Sequence, residues 1–160
     1  MIRLHLVAVG TLKEPYLREA AAEYLRRLGP LARVTVHEVK ETQAPPPGQT
    51  ALVAGALAVE GEALLNRLRD SWSVIALDRE GGQLSSEEIA AYLQGLTVQG
   101  RGDAAVLIGG AMGLADRVLQ RADLRLSLGR ITLPHQLCRI VVLEQLYRAL
   151  KLIRGAPYHR

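Results

Sequence analysis

Cysteine is nearly absent from this sequence, since Cys138 is the only one in 160 residues. A single cysteine excludes a disulfide framework and any metal site built from several cysteines. No His, Cys, Asp or Glu residues follow the spacing of a metal-binding motif, so we expect no metal cofactor. Low cysteine content is typical of the reducing cytosol and predicts a cytoplasmic location. Cys138 itself is expected to be a small buried hydrophobic residue and not a nucleophile.

Long apolar runs are also missing. No stretch approaches the roughly 20 uncharged apolar residues that a membrane-spanning helix needs, so we expect no membrane association. The apolar residues 4–9 are soon followed by Lys13 and Glu14, which is not the pattern of a targeting signal. The length predicts one domain, 1–160, with a core that needs no covalent cross-links.

Charge is unevenly distributed along the chain. Residues 1–115 contain 11 Lys/Arg and 13 Asp/Glu, a net charge of −2, whereas residues 116–160 contain 9 Lys/Arg and 3 Asp/Glu, a net charge of +6. This asymmetry is compatible with a C-terminal region that faces a polyanion such as RNA. An ordinary solvated helix face would give the same pattern, so charge alone does not decide between them.

Strand and helix patterns alternate along the chain, which predicts an α/β domain with a largely parallel sheet. Ser85 and Glu88 have the spacing of a capping box, and the glycine pair at 81–82 predicts a turn. The predicted strands are 2–9, 33–39, 74–77, 104–108 and 124–128, and the predicted helices are 17–28, 51–68, 85–96, 115–121 and 134–154.

A glycine-rich segment, residues 109–113, lies between a predicted buried strand and a helix. Glycines there allow a ligand to approach the backbone, and free N–H groups can hold polar ligand edges. Parallel sheets bind ligands at the carboxyl ends of their strands. The spacing is G-G-x-x-G rather than G-x-G-x-x-G, and no acidic residue follows at the distance expected of a dinucleotide fold, so NAD is disfavoured.

A second segment, residues 126–136, leads from a strand through Gly129 and Arg130 to a helix that begins near Pro134. Its hydroxyls, backbone donors and apolar side chains suit a nucleoside-like ligand, although an ordinary strand–helix connection has the same composition. Asp78 and Glu80 follow another strand. They are either catalytic carboxylates or common polar residues of a strand end.

The chain ends with an aromatic ring, an imidazole and a guanidinium, from Tyr158, His159 and Arg160. These groups can stack on a base, exchange a proton and hold a phosphate. A frayed tail is the alternative, because terminal residues are often poorly ordered.

Taken together, these segments resemble the RlmH family of the SPOUT superfamily. The resemblance rests on VLIGGAMGL at 106–114, LSL at 126–128 with TLPHQ at 132–136, EQLYRA at 144–149 and GAPYHR at 155–160. VAVG at 7–10 and EYLRRLG at 23–29 also agree. The family often has serine where this chain has Gly129. The glycine would remove a hydroxyl contact to the methyl donor.

The resemblance implies an S-adenosylmethionine-dependent methyltransferase that modifies N3 of a pseudouridine in 23S ribosomal RNA. It also implies a homodimer and a deep C-terminal trefoil knot, which periodicity cannot reveal. The C-terminal tail, Tyr158 to Arg160, is expected to reach the target base, across the dimer. The donor pocket implied by the resemblance consists of Leu77, Gly109, Gly110, Leu128, Gly129, Arg130, Ile131, Thr132 and Leu133.

For the reaction, the N3 proton must leave and the nucleophile must be held in line with the methyl group. His159 is the candidate base, with Arg160 or Arg139 stabilising negative charge on the base oxygens, although solvent can also take the proton. Two other classes remain: a non-catalytic protein that binds RNA or the ribosome through its basic C-terminal face, and a nucleotide-binding oxidoreductase.

Overall fold

The computed structural model describes residues 1–156, and five strands alternate with five helices within that range. The strands are β1 (Arg3–Val9), β2 (Arg33–Val39), β3 (Ser73–Gln83), β4 (Asp103–Ile108) and β5 (Leu124–Ser127). The helices are α1 (Pro15–Leu28), α2 (Thr50–Leu65), α3 (Ser86–Val98), α4 (Asp116–Arg121) and α5 (His135–Ile153). Their alternation confirms the predicted α/β class.

The strands form one sheet in the order β2-β1-β4-β3-β5, and every neighbouring pair is parallel. The largely parallel sheet predicted from the alternating pattern is therefore confirmed. The crossings needed for a trefoil knot are a separate matter, and the knot stays a prediction.

Helices cover both faces of the sheet. Successive side chains of a strand point to opposite sides, so the apolar residues of one strand contribute to both cores. Leu4, Leu6 and Ala8 of β1 pack into the core formed with α1, α3 and α5. Val7 and Val9 of the same strand pack into the second core, with residues of α2 and α4. Such two-sided burial is typical of parallel sheets and explains their near-continuous apolar strands.

The capping box that begins α3 is confirmed. The backbone N–H of Glu88 donates to the Ser85 hydroxyl over 3.1 Å, and the N–H of Ser85 donates to the Glu88 carboxylate over 2.6 Å. Two backbone donors at the start of the helix are thereby satisfied.

The turn predicted at the glycine pair 81–82 is wrong, because both glycines belong to β3. Leu126 of β5 pairs with Leu77 and again with Gly82, so the register shifts across the intervening residues. A Cβ atom placed on Gly81 would lie 2.7 Å from both the carbonyl carbon and the oxygen of Arg125. Glycine here serves a close approach of two strands and not a reversal of the chain.

Several predicted boundaries also differ from the structure, and the largest difference is in β3, which continues to Gln83, six residues beyond the predicted end. Helix α2 ends at Leu65, three residues before the predicted end, because residues 64–68 close with tighter backbone bonds such as Leu68 N–H to the carbonyl of Leu65 at 3.1 Å. Strand β5 ends at Ser127, where the chain leaves the sheet. None of the helices within residues 1–156 has the length and apolarity to cross a membrane.

Candidate functional site

A cavity of about 540 Å³ lies beyond the carboxyl ends of β4 and β5 and beside residues 77–79 in the middle of β3. Its walls come from those strand segments, from the glycine segment after β4 and from the segment that joins β5 to α5. The lining residues are Leu77, Asp78, Arg79, Ile108, Gly109, Gly110, Ala111, Gly113, Leu126, Ser127, Leu128, Gly129, Ile131, Thr132, Leu133, Pro134, His135 and Cys138. Parallel sheets place ligand sites at this edge.

The glycine segment folds back on itself as a tight loop. The N–H of Gly113 donates to the carbonyl of Gly110 over 3.0 Å, and Gly113 has φ +82°. A Cβ on Gly109 would lie 2.4 Å from the carbonyl oxygen of Gly113. The loop itself therefore requires glycine at position 109, and its compact shape brings main-chain polar groups to the cavity wall.

The segment after β5 supplies the other wall. Gly129 has φ +125°, a conformation that side chains disfavour, and its N–H and carbonyl both bond to the Ser127 hydroxyl over 3.2 Å. Ile131 lines the cavity while 71% exposed. An apolar side chain at a cavity mouth, rather than in the core, provides surface for a ligand.

The predicted donor residues are largely brought together by the fold. All of them line the cavity except Arg130, which is exposed between the lining residues Gly129 and Ile131. Asp78 and Glu80 do not follow the strand as predicted, because β3 continues through both to Gln83; Asp78 lines the cavity, whereas Glu80 does not. Their role in binding a methyl donor stays a prediction.

Arg139 lies away from this cavity and is 4% exposed. Its Nη1 bonds to the Glu38 carboxylate over 2.5 Å, and its Nη2 donates to the carbonyl oxygen of Gly10 over 2.9 Å. The guanidinium thus joins α5 to the ends of β1 and β2. A direct role on the target base stays a prediction, and the contacts support a positioning role.

The other predicted catalytic and RNA-binding residues, Tyr158, His159 and Arg160, lie outside the described residues. Cys138 lines the cavity, half-buried, with its Sγ 3.8 Å from the carbonyl oxygen of Leu133. Burial raises the pKa of the Cys138 thiol, which keeps it protonated and a weak nucleophile. That finding agrees with the hydrophobic role expected for it.

Sequence reasoning missed one group of contacts at the start of α5. His135 lines the cavity, and its Nε2 lies 3.6 Å from a carboxylate oxygen of Glu41 in the loop after β2. The side chain of Gln136 accepts the backbone N–H of Lys13, in the loop after β1, over 3.1 Å. The polar residues His135 and Gln136 at the start of an apolar helix could have indicated such contacts. Their partners could not be identified from the sequence, because they lie about 95 to 125 residues away in the chain.

Comparison with known proteins gives a consistent result. A family model described as "Predicted SPOUT methyltransferase" matches residues 2–159. Proteins named ribosomal RNA large subunit methyltransferase H are similar over the whole chain. The one from Carboxydothermus hydrogenoformans is 47% identical over 99% of this chain and 100% of its own length, and the one from Moorella thermoacetica is 49% identical over 100% of both.

A solved structure supports the same architecture. The crystal structure of a probable methyltransferase from Bordetella pertussis Tohama I aligns with a TM-score of 0.61, over 93% of this chain and 96% of its own, at 19% identity. That likeness concerns the fold alone. The family model and the full-length relatives carry the assignment: the chain belongs to the SPOUT methyltransferase family.

Proposed function

We propose that the protein uses S-adenosylmethionine to methylate N3 of a pseudouridine in 23S ribosomal RNA of the large ribosomal subunit. The observation that carries the proposal is the cavity at the carboxyl ends of β4 and β5, bordered by residues 77–79 of β3, the glycine loop and residues 128–134. The full-length relatives bear the name of a large-subunit rRNA methyltransferase. A ribosomal substrate assigns the enzyme to the cytoplasm.

The cavity suits the proposed donor in size and chemistry. Its volume of about 540 Å³ falls within the range of small-molecule sites, roughly 300–1,000 Å³. Leu77, Ile108 and Leu133 offer apolar surface for an adenine ring. Backbone groups of the glycine loop offer hydrogen bonds, and the Asp78 carboxylate offers an opposite charge to a sulfonium.

The bound donor supplies an electrophilic methyl group. The chain's own residues must then hold the target base in line with that group and keep competing water out. In this proposal His159 and Arg160 contact the target nucleobase, and Arg139 fixes α5 against the ends of β1 and β2. The exposed guanidinium of Arg130, at the cavity rim, is available to an RNA phosphate.

A homodimer is part of the proposal, and most of the apolar face of α5 is already covered within one chain. Helix α5 packs against both α1 and α3, which accounts for buried residues such as Leu143 and Leu146. Near the start of α5 the exposed large apolar side chain is Leu137. We therefore place the proposed interface at the beginning of α5.

Ligand binding separates the classes of function. Titration calorimetry should show binding of S-adenosylmethionine and none of NAD. Ile131→Asp places a charge on an exposed cavity residue and should weaken donor binding about tenfold, equivalent to about 1.4 kcal/mol, with an unchanged melting temperature. Val98→Asp is the matched control, because Val98 is 82% exposed and lies outside the cavity. Binding of RNA without any donor binding would favour the non-catalytic alternative.

Mass spectrometry of 23S rRNA then tests the substrate. A strain that lacks the gene should lose one methyl group from a pseudouridine, and the purified protein with donor should restore it. Free rRNA and assembled large subunits, assayed side by side, identify which of them is the substrate. Full methylation in the strain without the gene would refute the proposed function.

A further inference from the structure

His135 is the imidazole that borders the cavity within residues 1–156. It is the first residue of α5, and the N-terminal half of the chain holds it in place. Its Nε2 faces Glu41 at 3.6 Å, and the two side chains are 26% and 27% exposed. No hydrogen bond to the other ring nitrogen, Nδ1, occurs within the described part of the chain.

The Glu41 carboxylate occupies a site that the backbone leaves open for it. A Cβ atom on Gly110 would lie 3.3 Å from one carboxylate oxygen, and a Cβ on Gly10 would lie 3.0 Å from the other. Glycine at both positions thus makes room for the carboxylate between the end of β1 and the loop of the cavity. Through this contact Glu41 touches the cavity loop and His135 together.

Thr42, the residue after Glu41, is held by hydrogen bonds to Glu60. The backbone N–H and the hydroxyl of Thr42 both donate to one carboxylate oxygen of Glu60, over 2.9 and 2.8 Å. Glu60 lies on α2 and is 2% exposed. Hydrogen bonds to a buried carboxylate fix the loop that carries Glu41, so the imidazole faces a carboxylate with restricted freedom.

Stability alone does not account for this pair. The separation of 3.6 Å exceeds an ordinary hydrogen bond, and partly exposed ion pairs add little to stability. The Glu41 carboxylate instead places a negative charge beside Nε2, where it can attract an imidazole that has gained a proton, and Nδ1 stays open to another partner. Asp78, Arg79 and Cys138 line the same cavity as His135. Lys13, Glu38 and Lys40 line the neighbouring cavity together with Glu41, and Glu38 is paired with Arg139 of α5.

We propose that His135, which faces Glu41, accepts the proton that leaves N3 of the target base, in place of His159; this inference rests on the proposed function. The N3–H bond breaks and the proton moves to Nδ1. The electron pair on N3 forms the new bond to the methyl carbon as the carbon–sulfur bond breaks, with its electrons left on sulfur. The imidazolium then releases the proton to solvent. Glu41 acts as a positioning residue.

Turnover of two variants tests the assignment. His135→Gln should lower kcat by about 10²-fold or more, the usual contribution of a general base, with the KM for donor within threefold of the parent value. Because hydroxide then takes the proton, kcat of the variant should keep rising with pH after the parent reaches its plateau. Glu41→Gln keeps a polar partner and should lower kcat less, by about tenfold. Glu23→Gln, which removes a carboxylate paired with Arg26 and Arg27 on α1, is the control and should retain parent activity.

Chemical modification gives a readout without turnover. Diethyl pyrocarbonate acylates accessible imidazoles, and mass spectrometry locates the modified histidine. S-adenosylhomocysteine, at saturation, should slow the modification of His135 at least fivefold and leave that of the distant His37 unchanged. Unchanged modification of His135 would show that its ring does not border the ligand.

The outcomes separate this inference from the proposed function. A parent protein that neither binds donor nor methylates 23S rRNA overturns the proposed function. An active parent whose His135→Gln variant keeps the same kcat and the same pH profile overturns only the role of His135. A fall in melting temperature in both His135→Gln and Glu41→Gln, with kcat unchanged at a temperature where both are folded, would assign the pair to the fold.

Discussion

Replacement of Gly81 by alanine tests the close contact between β3 and β5. A Cβ at this position would lie 2.7 Å from the carbonyl carbon and oxygen of Arg125 and 3.0 Å from the carbonyl oxygen of Asp78. All three are backbone atoms, so no side chain can rotate away. Strand β5 must retreat by roughly 1 Å to restore ordinary contact distances of about 3.5–4.0 Å.

The cost follows from that displacement. Forcing an extra methyl group into a closely packed site costs about 1–3 kcal/mol. For a chain of this size, each kcal/mol lowers the melting temperature by about 2–4 °C, so the expected loss is about 2–12 °C. Donor affinity should fall as well, because Ser127 and Leu128 at the end of β5 line the cavity.

The neighbouring glycine is the matched control. A Cβ on Gly82 would meet one atom, the Arg125 carbonyl oxygen at 4.0 Å, which is an ordinary contact. Gly82→Ala should therefore be neutral or stabilise the protein by about 0.5–1 kcal/mol, because alanine loses less backbone entropy in a strand. Thermal unfolding and donor titration of both variants decide the matter. Equal melting temperatures for Gly81→Ala and Gly82→Ala would refute the steric argument.

Three further changes have defined outcomes. Arg139→Met leaves the Gly10 carbonyl without its hydrogen-bond partner, whereas Glu38 is partly exposed and can regain water. Chemical denaturation should therefore show a free energy of unfolding about 1–3 kcal/mol lower than that of the parent, and an equal value would contradict this. Hydrogen bonds from Arg3 hold the pKa of Asp103 well below its usual range, so this carboxylate stabilises the fold above pH ~4 and the benefit disappears as the pH falls. The melting temperature of Asp103→Asn should thus lie below the parent value at pH 7, and the difference should shrink steadily as the pH falls from about 4 to about 2; a constant difference would exclude the linkage. Truncation after residue 157 should abolish most methyl transfer while preserving the melting temperature and donor affinity, whereas full transfer activity would remove the C-terminal tail from the mechanism.

Local patterns were sufficient to predict most of the fold. Alternating apolar residues located all five strands, and the Ser85–Glu88 spacing located the start of α3, because those features depend on residues close in the chain. The glycine segment 109–113 after a buried strand was also sufficient to predict one wall of the cavity. A loop that joins a strand to the following helix lies at the carboxyl end of the strand, which is where parallel sheets bind ligands.

Long-range contacts escaped prediction. A glycine pair commonly marks a turn, and nothing near Gly81 in the sequence indicates that the backbone of β5 lies against it. Likewise, His135 meets Glu41 and Arg139 meets Glu38 only because the sheet order brings the ends of β1 and β2 beside the start of α5. Sequence reasoning gave Arg139 a role at the target base because guanidinium groups bind anions, and it had no means of anticipating Glu38.

The last helix has a consequence for the order of events during synthesis. Helix α5 packs against both α1 and α3, and His135, Gln136 and Arg139 at its start engage the loops and strands of the N-terminal half. Until about residue 153 has emerged from the ribosome, the apolar sides of α1 and α3 lack their cover. Nascent chains of this protein should thus depend on chaperones until α5 has emerged, and the core and the cavity should form together once it packs.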